Sequence, residues 1–304
     1  MSLTNYPNGI TSFGVPIMPA AAANVTTGNI FFVDSSTGSD TNKSGKSPEL
    51  PFATIDYAIG KCTASKGDII YVMPGHSETA ATQITCDVAG VSILGLGRGQ
   101  NIPAVTANAS AVDCINVTAD DVYIENIRLI GAASCTAFIN VAAADFTAVR
   151  VWCDGVATPA NHVTVTAAGL RFKFLGCRFE SQTDGPNYGI LIEAADVDGW
   201  IVEGCMFNFH GTGLDDAGIA CSKHCPGGLI KDNVFIGMDT TAVDLNSSSQ
   251  GNIEGIICGN VVGAGAAAAN IDTLIDAGGY ACIENYGTDE PAEAGGRIPV
   301  ATPA

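Results

Sequence analysis

The sequence is poor in charge, and poorer still in positive charge. Charged residues make up 14% of its 304 positions, against roughly 25% in an ordinary globular chain. Thirteen Lys and Arg face 31 Asp and Glu, giving a net charge of −18. That scarcity of cations argues against a nucleic-acid partner and against an anionic membrane surface, since both would repel the chain. No apolar run approaches the roughly 20 residues that carry a helix across a bilayer, which argues against a membrane-spanning protein. Ala20 to Ala23 resemble a cleavage site, but no basic residue precedes them, and Pro7, Gly9, Gly14, Pro16 and Pro19 break the stretch ahead. A signal peptide is therefore not expected. Disorder is excluded for most of the chain by its 47% hydrophobic content.

Glycine is plentiful, at 36 residues, which suits an architecture of many tight turns. The eleven cysteines are an odd count, spread evenly from Cys62 to Cys282. That spread does not read as a disulfide framework. Buried cysteine behaves as a small hydrophobe, so the expectation is an inward-facing thiol in each repeat and assembly in a reducing cytoplasm.

Three regions are expected. Residues 1–28 form an extended arm whose prolines and glycines prevent a regular helix or a central strand. It carries Leu3, Tyr6, Ile10, Phe13, Val15, Ile17 and Met18, which is too apolar for a solvated linker. Residues 29–287 form the body. Residues 288–304 are rich in Pro, Ala and Gly and read as a flexible or docking tail.

The body opens with a strand at Ile30–Val33, an amphipathic helix over Pro51–Ser65, and strands at Lys66–Pro74 and Val91–Leu96. A repeat follows. Anchored at Asn126, Arg150, Cys177, Cys205, Asn233, Asn260 and Asn285, its steps are 24, 27, 28, 28, 27 and 25 residues. Each unit shows a run such as VYIENIRLIG from Val122 and an earlier short strand such as CINVT from Cys114. Two strands per unit, parallel from unit to unit, describe a solenoid with coils about 4.8 Å apart. Equivalent residues then touch. Phe179, Phe207 and Phe235 should stack, and Asn233, Asn260 and Asn285 should form a hydrogen-bonded ladder.

This pattern resembles the right-handed parallel β-helix of the pectate-lyase-like superfamily over about residues 30–287. The order PFATIDYAI, KGDIIYVMPGHSET, AGVSILGLG resembles that superfamily's N-terminal cap and first coils. The resemblance implies an all-β solenoid with a short capping helix over its open end. It implies no one activity, because the fold hosts lyases, hydrolases, esterases and structural proteins.

No chemical motif is complete. Arg128, Arg150, Arg171, Lys173 and Arg178 could make a basic stripe for an acidic glycan, though a solvated sheet face is the favoured reading. Glu180, Asp184, His210, Asp215 and Asp216 could gather on neighbouring loops as an acidic cluster. FHGTGLDDAG does not reproduce the polygalacturonase order. Cys221-Ser-Lys-His-Cys225 lacks the second ligand pair of a structural zinc site and reads as two coil cysteines with a surface histidine. No catalytic residue, metal or cofactor is assigned.

The arm LTNYPNGITSFGVPIMP resembles the starts of structural proteins in tailed bacteriophages. That resemblance implies a virion structural protein, assembled in the host cytoplasm, as a capsid decoration or head fibre. The arm would grip the major capsid protein or another virion protein through Tyr6, Pro7, Asn8, Gly9, Ile10, Phe13 and Val15. A homotrimer is expected. The alternatives are a tailspike-type polysaccharide depolymerase and a β-helix that binds a host surface glycan.

Overall fold

The computed structural model describes residues 11–12, 15–16, 26, 28–80, 82–107, 113–131, 135–155, 160–166, 168–181, 187–209, 217–221, 223–238, 241–245, 254–264, 274–288 and 296–298. They build a right-handed parallel β-helix with three sheets. A first sheet of ten strands runs from Ile30–Val33 to Ala281–Ile283. A second, also of ten, runs from Ser77–Thr79 to Gly296–Arg297. A third, of eight, runs from Ile84–Cys86 to Ile275–Asp276.

Each coil thus has three strands where the sequence suggested two. The run from Val122 is two strands, Tyr123–Glu125 and Arg128–Ile130, split by Asn126 at φ 57°. The same corner recurs. Ile124, Ala148, Phe174, Val202, Ile230, Ile257 and Cys282 pair in register. That alignment puts Asn126, Arg150, Gly176, Gly204, Asp232, Gly259 and Glu284 in one column, all with φ between 50° and 68°. A left-handed backbone at this point turns the chain sharply from one sheet to the next.

The register differs from the sequence expectation by one place in two coils. Asn126 and Arg150 belong with Gly176 at the corner, not with Cys177. Ile127 and Val151 occupy the inward column that continues through Cys177, Cys205, Asn233, Asn260 and Asn285. A slip of one residue exchanges inward for outward. It therefore moves Asn126 and Arg150 from the interior to the surface. The chain also makes a third-sheet strand at Ala217–Cys221, which the sequence reading missed because its residues are mostly small.

The interior columns form as expected. Phe179, Phe207 and Phe235 stack with ring centroids 4.8 and 4.6 Å apart and planes 20° and 9° from parallel. Below them the asparagine ladder is closed on both sides. Asn233 N and Nδ2 each donate to Asn260 Oδ1 at 3.0 Å, and Asn260 N and Nδ2 donate to Asn285 Oδ1 at 3.1 and 2.9 Å. Asn233 Nδ2 also reaches Val202 O, and Asn285 Nδ2 reaches Ile257 O, each at 2.9 Å. All three amides are buried, and each finds the partners that burial demands.

Not every buried polar side chain is paired in this way. His162 is fully buried, and both ring nitrogens lack a hydrogen-bond partner among the described residues. It lies against the rings of Phe138, Phe209 and Phe179, at 5.2, 5.4 and 6.2 Å. Burial pushes its pKa down to about 3, because the charged imidazolium would find no solvation there.

The N-terminal end is covered by a helix shorter than expected, Ile55–Ile59. Thr54 caps it by accepting from Tyr57 N, and the Gly60 cap ends it. Glu78, pointing inward from the second sheet, accepts from Ile55 N at 3.1 Å and lies 3.4 Å from His76 Nε2. This carboxylate ties the helix to the first coils. The far end is closed differently. Gly296–Arg297 pairs antiparallel with Tyr286 and Gly287, and the buried Ile298 donates its N–H to Asn285 O at 2.8 Å.

One further expectation changes. Cys221 and Cys225 are joined as a disulfide, with Cα atoms 6.8 Å apart, so the all-thiol reading is corrected there. The turn after Ala217–Cys221 folds back far enough for the two sulfurs to meet. Nine cysteines remain free thiols, six of them buried. In the arm, Thr11–Ser12 pairs antiparallel with Val15–Pro16.

Candidate functional site

The outward face of the second sheet has two chemically distinct halves. In the strands Arg128–Ile130, Trp152–Gly155 and Arg178–Ser181, the first outward position is Arg128, Trp152 and Arg178, stacked in register. The guanidinium carbon of Arg128 lies 4.4 Å from the Trp152 ring centroid and that of Arg178 lies 5.0 Å from it. Since the arginines come from the preceding and following coils, the indole is held between two cations.

Carboxylates at the next outward position fix this stack. Arg128 Nε donates to Asp154 Oδ2 at 3.0 Å, and its Nη2 donates to the same oxygen. Trp152 Nε1 donates to Glu180 Oε2 at 2.7 Å, and Arg178 donates to Glu180 Oε1. Asp154 is buried, and its Oδ1 has no partner among the described residues. At the corner, Arg150 donates to Glu125 Oε1, while Tyr123 donates to Glu125 Oε2 at 2.7 Å. Burial, and then the Glu125 carboxylate, push the Tyr123 phenol well above its usual range.

Arg128, Arg150, Trp152 and Arg178 line a groove of about 560 Å³. Its floor is the corner column of three coils, Asn126, Arg150 and Gly176. One wall is the Arg128, Trp152, Arg178 stack. The other is the loop after Ser92–Gly95, through Gly99, Gln100 and Ile102. Gly176 sits at φ 61°, and a Cβ there would lie 3.9 Å from the Arg150 side chain, so glycine keeps the floor low beside that arginine.

In the four strands from Met206–Phe209 to Tyr286–Thr288 the described outward side chains carry no charge, and the Gly296–Arg297 strand that follows pairs Arg297 with Tyr286. In Met206–Phe209, Val234–Met238, Val261–Ala264 and Tyr286–Thr288, the outward positions include Met206 and Asn208, Val234 and Ile236, Val261 and Gly263, and Tyr286. Val234, Ile236, Val261 and Tyr286 are exposed by 38, 37, 48 and 51%. On the first sheet beside them, Ile256 and Ile283 are exposed as well.

The residues expected to carry function fall as follows. Of the acidic cluster, Glu180 is engaged by Trp152 and Arg178, and Asp184, His210, Asp215 and Asp216 lie outside the described residues. Of the docking arm, Tyr6, Pro7, Asn8, Gly9, Ile10 and Phe13 also lie outside them, and Val15 pairs with Ser12. The basic stripe divides. Arg128, Arg150 and Arg178 share the groove, whereas Arg171 pairs with Asp145 through bonds of 2.8 and 2.7 Å. Trp152 was not singled out in the sequence. Its signal is its spacing, 24 residues after Arg128 and 26 before Arg178, one coil in each direction. Among the described residues no group of three or more His, Cys, Asp or Glu is placed to hold a metal ion.

No family model and no curated protein matches the chain. Solved structures do. The pectate lyase Pel9A matches with a TM-score of 0.57 and 14% identity, over 88% of this chain and 78% of that one. ORF18 of Geobacillus virus E2 gives 0.40 and 15%, over 79% and 58%. A pectin methylesterase in complex with a hexasaccharide gives 0.38 and 13%, over 79% and 80%. What the chain shares with the pectate lyase is the fold, a right-handed parallel β-helix.

Proposed function

We propose that the chain is a non-enzymatic structural protein of a virion surface, a capsid decoration or head-fibre subunit that residues 1–28 anchor and that self-associates as a homotrimer. The observation that carries self-association is the run of four strands in the second half of the second sheet whose described outward side chains carry no charge. Two copies of a chain with net charge −18 repel one another. They can meet closely only where no carboxylate is brought to the contact, and four consecutive strands offer such a face with Val234, Ile236, Val261 and Tyr286 exposed. Apolar surface so arranged marks an interaction site, and a closed ring of copies uses one such face per subunit. The arm supports anchoring. It is apolar, it is rich in proline and glycine, and its wording resembles phage structural proteins.

Light scattering on the full chain should give three times the 31.0 kDa monomer mass. Val261→Glu should shift it to the monomer with the far-ultraviolet spectrum unchanged. A monomeric parent would remove the self-association reading. Deleting residues 2–18 should leave a folded body that no longer binds capsids, and retained binding would remove the anchoring reading.

A further inference from the structure

The Cys221–Cys225 bond joins residues four apart in sequence. It lies where the chain passes from the third-sheet strand Ala217–Cys221 to the first-sheet strand Leu229–Lys231. Both half-cystines are buried, while Lys223 and Gly227 are exposed. A cross-link between residues so near in sequence restricts the unfolded chain little, so folding favours this bond less than it would a long ring. The other nine cysteines are free thiols. Burial pushes Cys62 and Cys86 up to about 12 and Cys135 up to about 11, which keeps them from forming the reactive thiolate.

The segment that carries the bond is tied to coils on both sides. Towards the N-terminus, His224 O accepts from Asp196 N at 2.6 Å, and His224 Nδ1 lies 2.9 Å from Asp196 Oδ1. Towards the C-terminus, the Tyr280 hydroxyl donates to Cys225 O and accepts from Gly228 N at 3.1 Å. Tyr280 belongs to the last coil, two coils further on. It precedes Ala281–Ile283 as Gly228 precedes Leu229–Lys231 and Gly255 precedes Ile256–Cys258, strands that pair in register. It reaches Cys225 by leaning across both glycines. A Cβ on Gly255 would lie 2.0 Å from the Tyr280 ring, and one on Gly228 would lie 2.8 Å from its hydroxyl. Tyr280 is buried, with its ring 6.3 Å from that of Trp200. The last coil therefore hangs on the backbone of a half-cystine.

We propose that Cys221 and Cys225 are a reversible redox latch, a dithiol in reducing surroundings and a disulfide in oxidising ones, which tightens the last coil through Tyr280. Oxidation proceeds by exchange with a small disulfide such as oxidised glutathione. One cysteine thiolate attacks it, forming a mixed disulfide and expelling one glutathione thiolate. The second cysteine thiolate attacks the mixed disulfide, closing the protein bond and expelling the other. The two cysteines give up two electrons, which reduce the small disulfide, and their two protons end on the two released thiolates. With the bond closed, Cys225 is fixed and Tyr280 has a rigid acceptor. With it open, hydrogen bonds alone hold the segment, and the last coil opens more often. The latch rests on the fold alone and is independent of the self-association and anchoring proposed above.

The test equilibrates the full chain in glutathione buffers from fully reduced to fully oxidised, then quenches with acid, alkylates under denaturing conditions and weighs the peptides. Cys221 and Cys225 should change together in one two-electron step, with the other nine cysteines alkylated at both extremes. Hydrogen exchange on the same samples should run about tenfold or more faster over 274–288 when the pair is reduced, and unchanged over 69–95. Tyr280→Phe keeps the ring and loses the hydroxyl, so exchange over 274–288 should then be the same in both redox states. The proposal is overturned if the pair stays bonded or stays open across the whole series, if reduction leaves 274–288 unchanged, or if Tyr280→Phe retains the redox dependence.

Discussion

At the scale of single residues, His162 sets an acid limit on the fold. Its folded pKa of about 3 lies below the ordinary value of 6.5. The unfolded chain therefore takes up a proton at His162 as pH drops below about 6.5, while the folded chain refuses it until about 3. Stability from this site is complete above pH 6.5 and declines between 6.5 and 3. At pH 5 the loss is about 2 kcal/mol, from the 1.4 kcal/mol that each pH unit carries. His162→Leu should flatten this limb and raise stability at neutral pH, because two unpaired buried nitrogens are removed. Denaturant midpoints measured from pH 7 to pH 5 check both, and a parallel decline in parent and variant would show that other groups govern acid sensitivity. Arg150 illustrates a different residue-scale constraint. It sits at φ 50°, where three other coils use glycine. A long side chain in that backbone costs about 1 kcal/mol or more, and its guanidinium is placed at the groove floor in return.

At the scale of elements, the asparagine ladder is the feature whose removal should be felt most. Asn260 accepts two bonds from Asn233 and donates to Asn285 Oδ1 and Ile230 O. Asn260→Ala leaves the buried Asn233 backbone N–H and one Asn233 amide hydrogen without acceptors, frees the buried Ile230 O, and takes one of two donors from Asn285 Oδ1. The expected loss is about 3–5 kcal/mol, since each orphaned group costs roughly 1–3. Chemical denaturation with an unchanged m-value checks it, and a loss below about 1 kcal/mol would show that water replaces the amide. This ladder and the phenylalanine stack were legible in the sequence, because an inward residue meets its own equivalent one coil away and like residues then recur at one period. The corner was not legible in the first coils. Asn126 looks like a ladder asparagine, yet it is the residue that turns the chain, and the true inward residues, Ile127 and Val151, carry no polar mark. The groove was hidden for the same reason. The sequence register set Arg178 level with Val151 and Ile127, and the one-place slip aligns it instead with Trp152 and Arg128.

At the scale of the whole molecule, one sheet changes composition along its length. Cross-coil ion pairs fix its first half, and four strands of its second half present described outward side chains without charge. The ends are closed by different means, the Glu78-tethered helix at one and the antiparallel Gly296–Arg297 strand at the other. All three sheets bond from coil to coil, so their hydrogen bonds and the asparagine ladder lie along the long axis. Tension applied to the two termini of one chain loads these coils in series, and the outermost coil must yield before its neighbour is strained. Pulled in an optical trap, the protein should lengthen in a staircase, one coil at a time. Successive corner residues from Asn126 to Glu284 are 24 to 28 residues apart, so each step should release roughly 80–100 Å of contour. A single large rip would show instead that the stacked interior fails as one body. A solenoid built this way gives ground gradually under load.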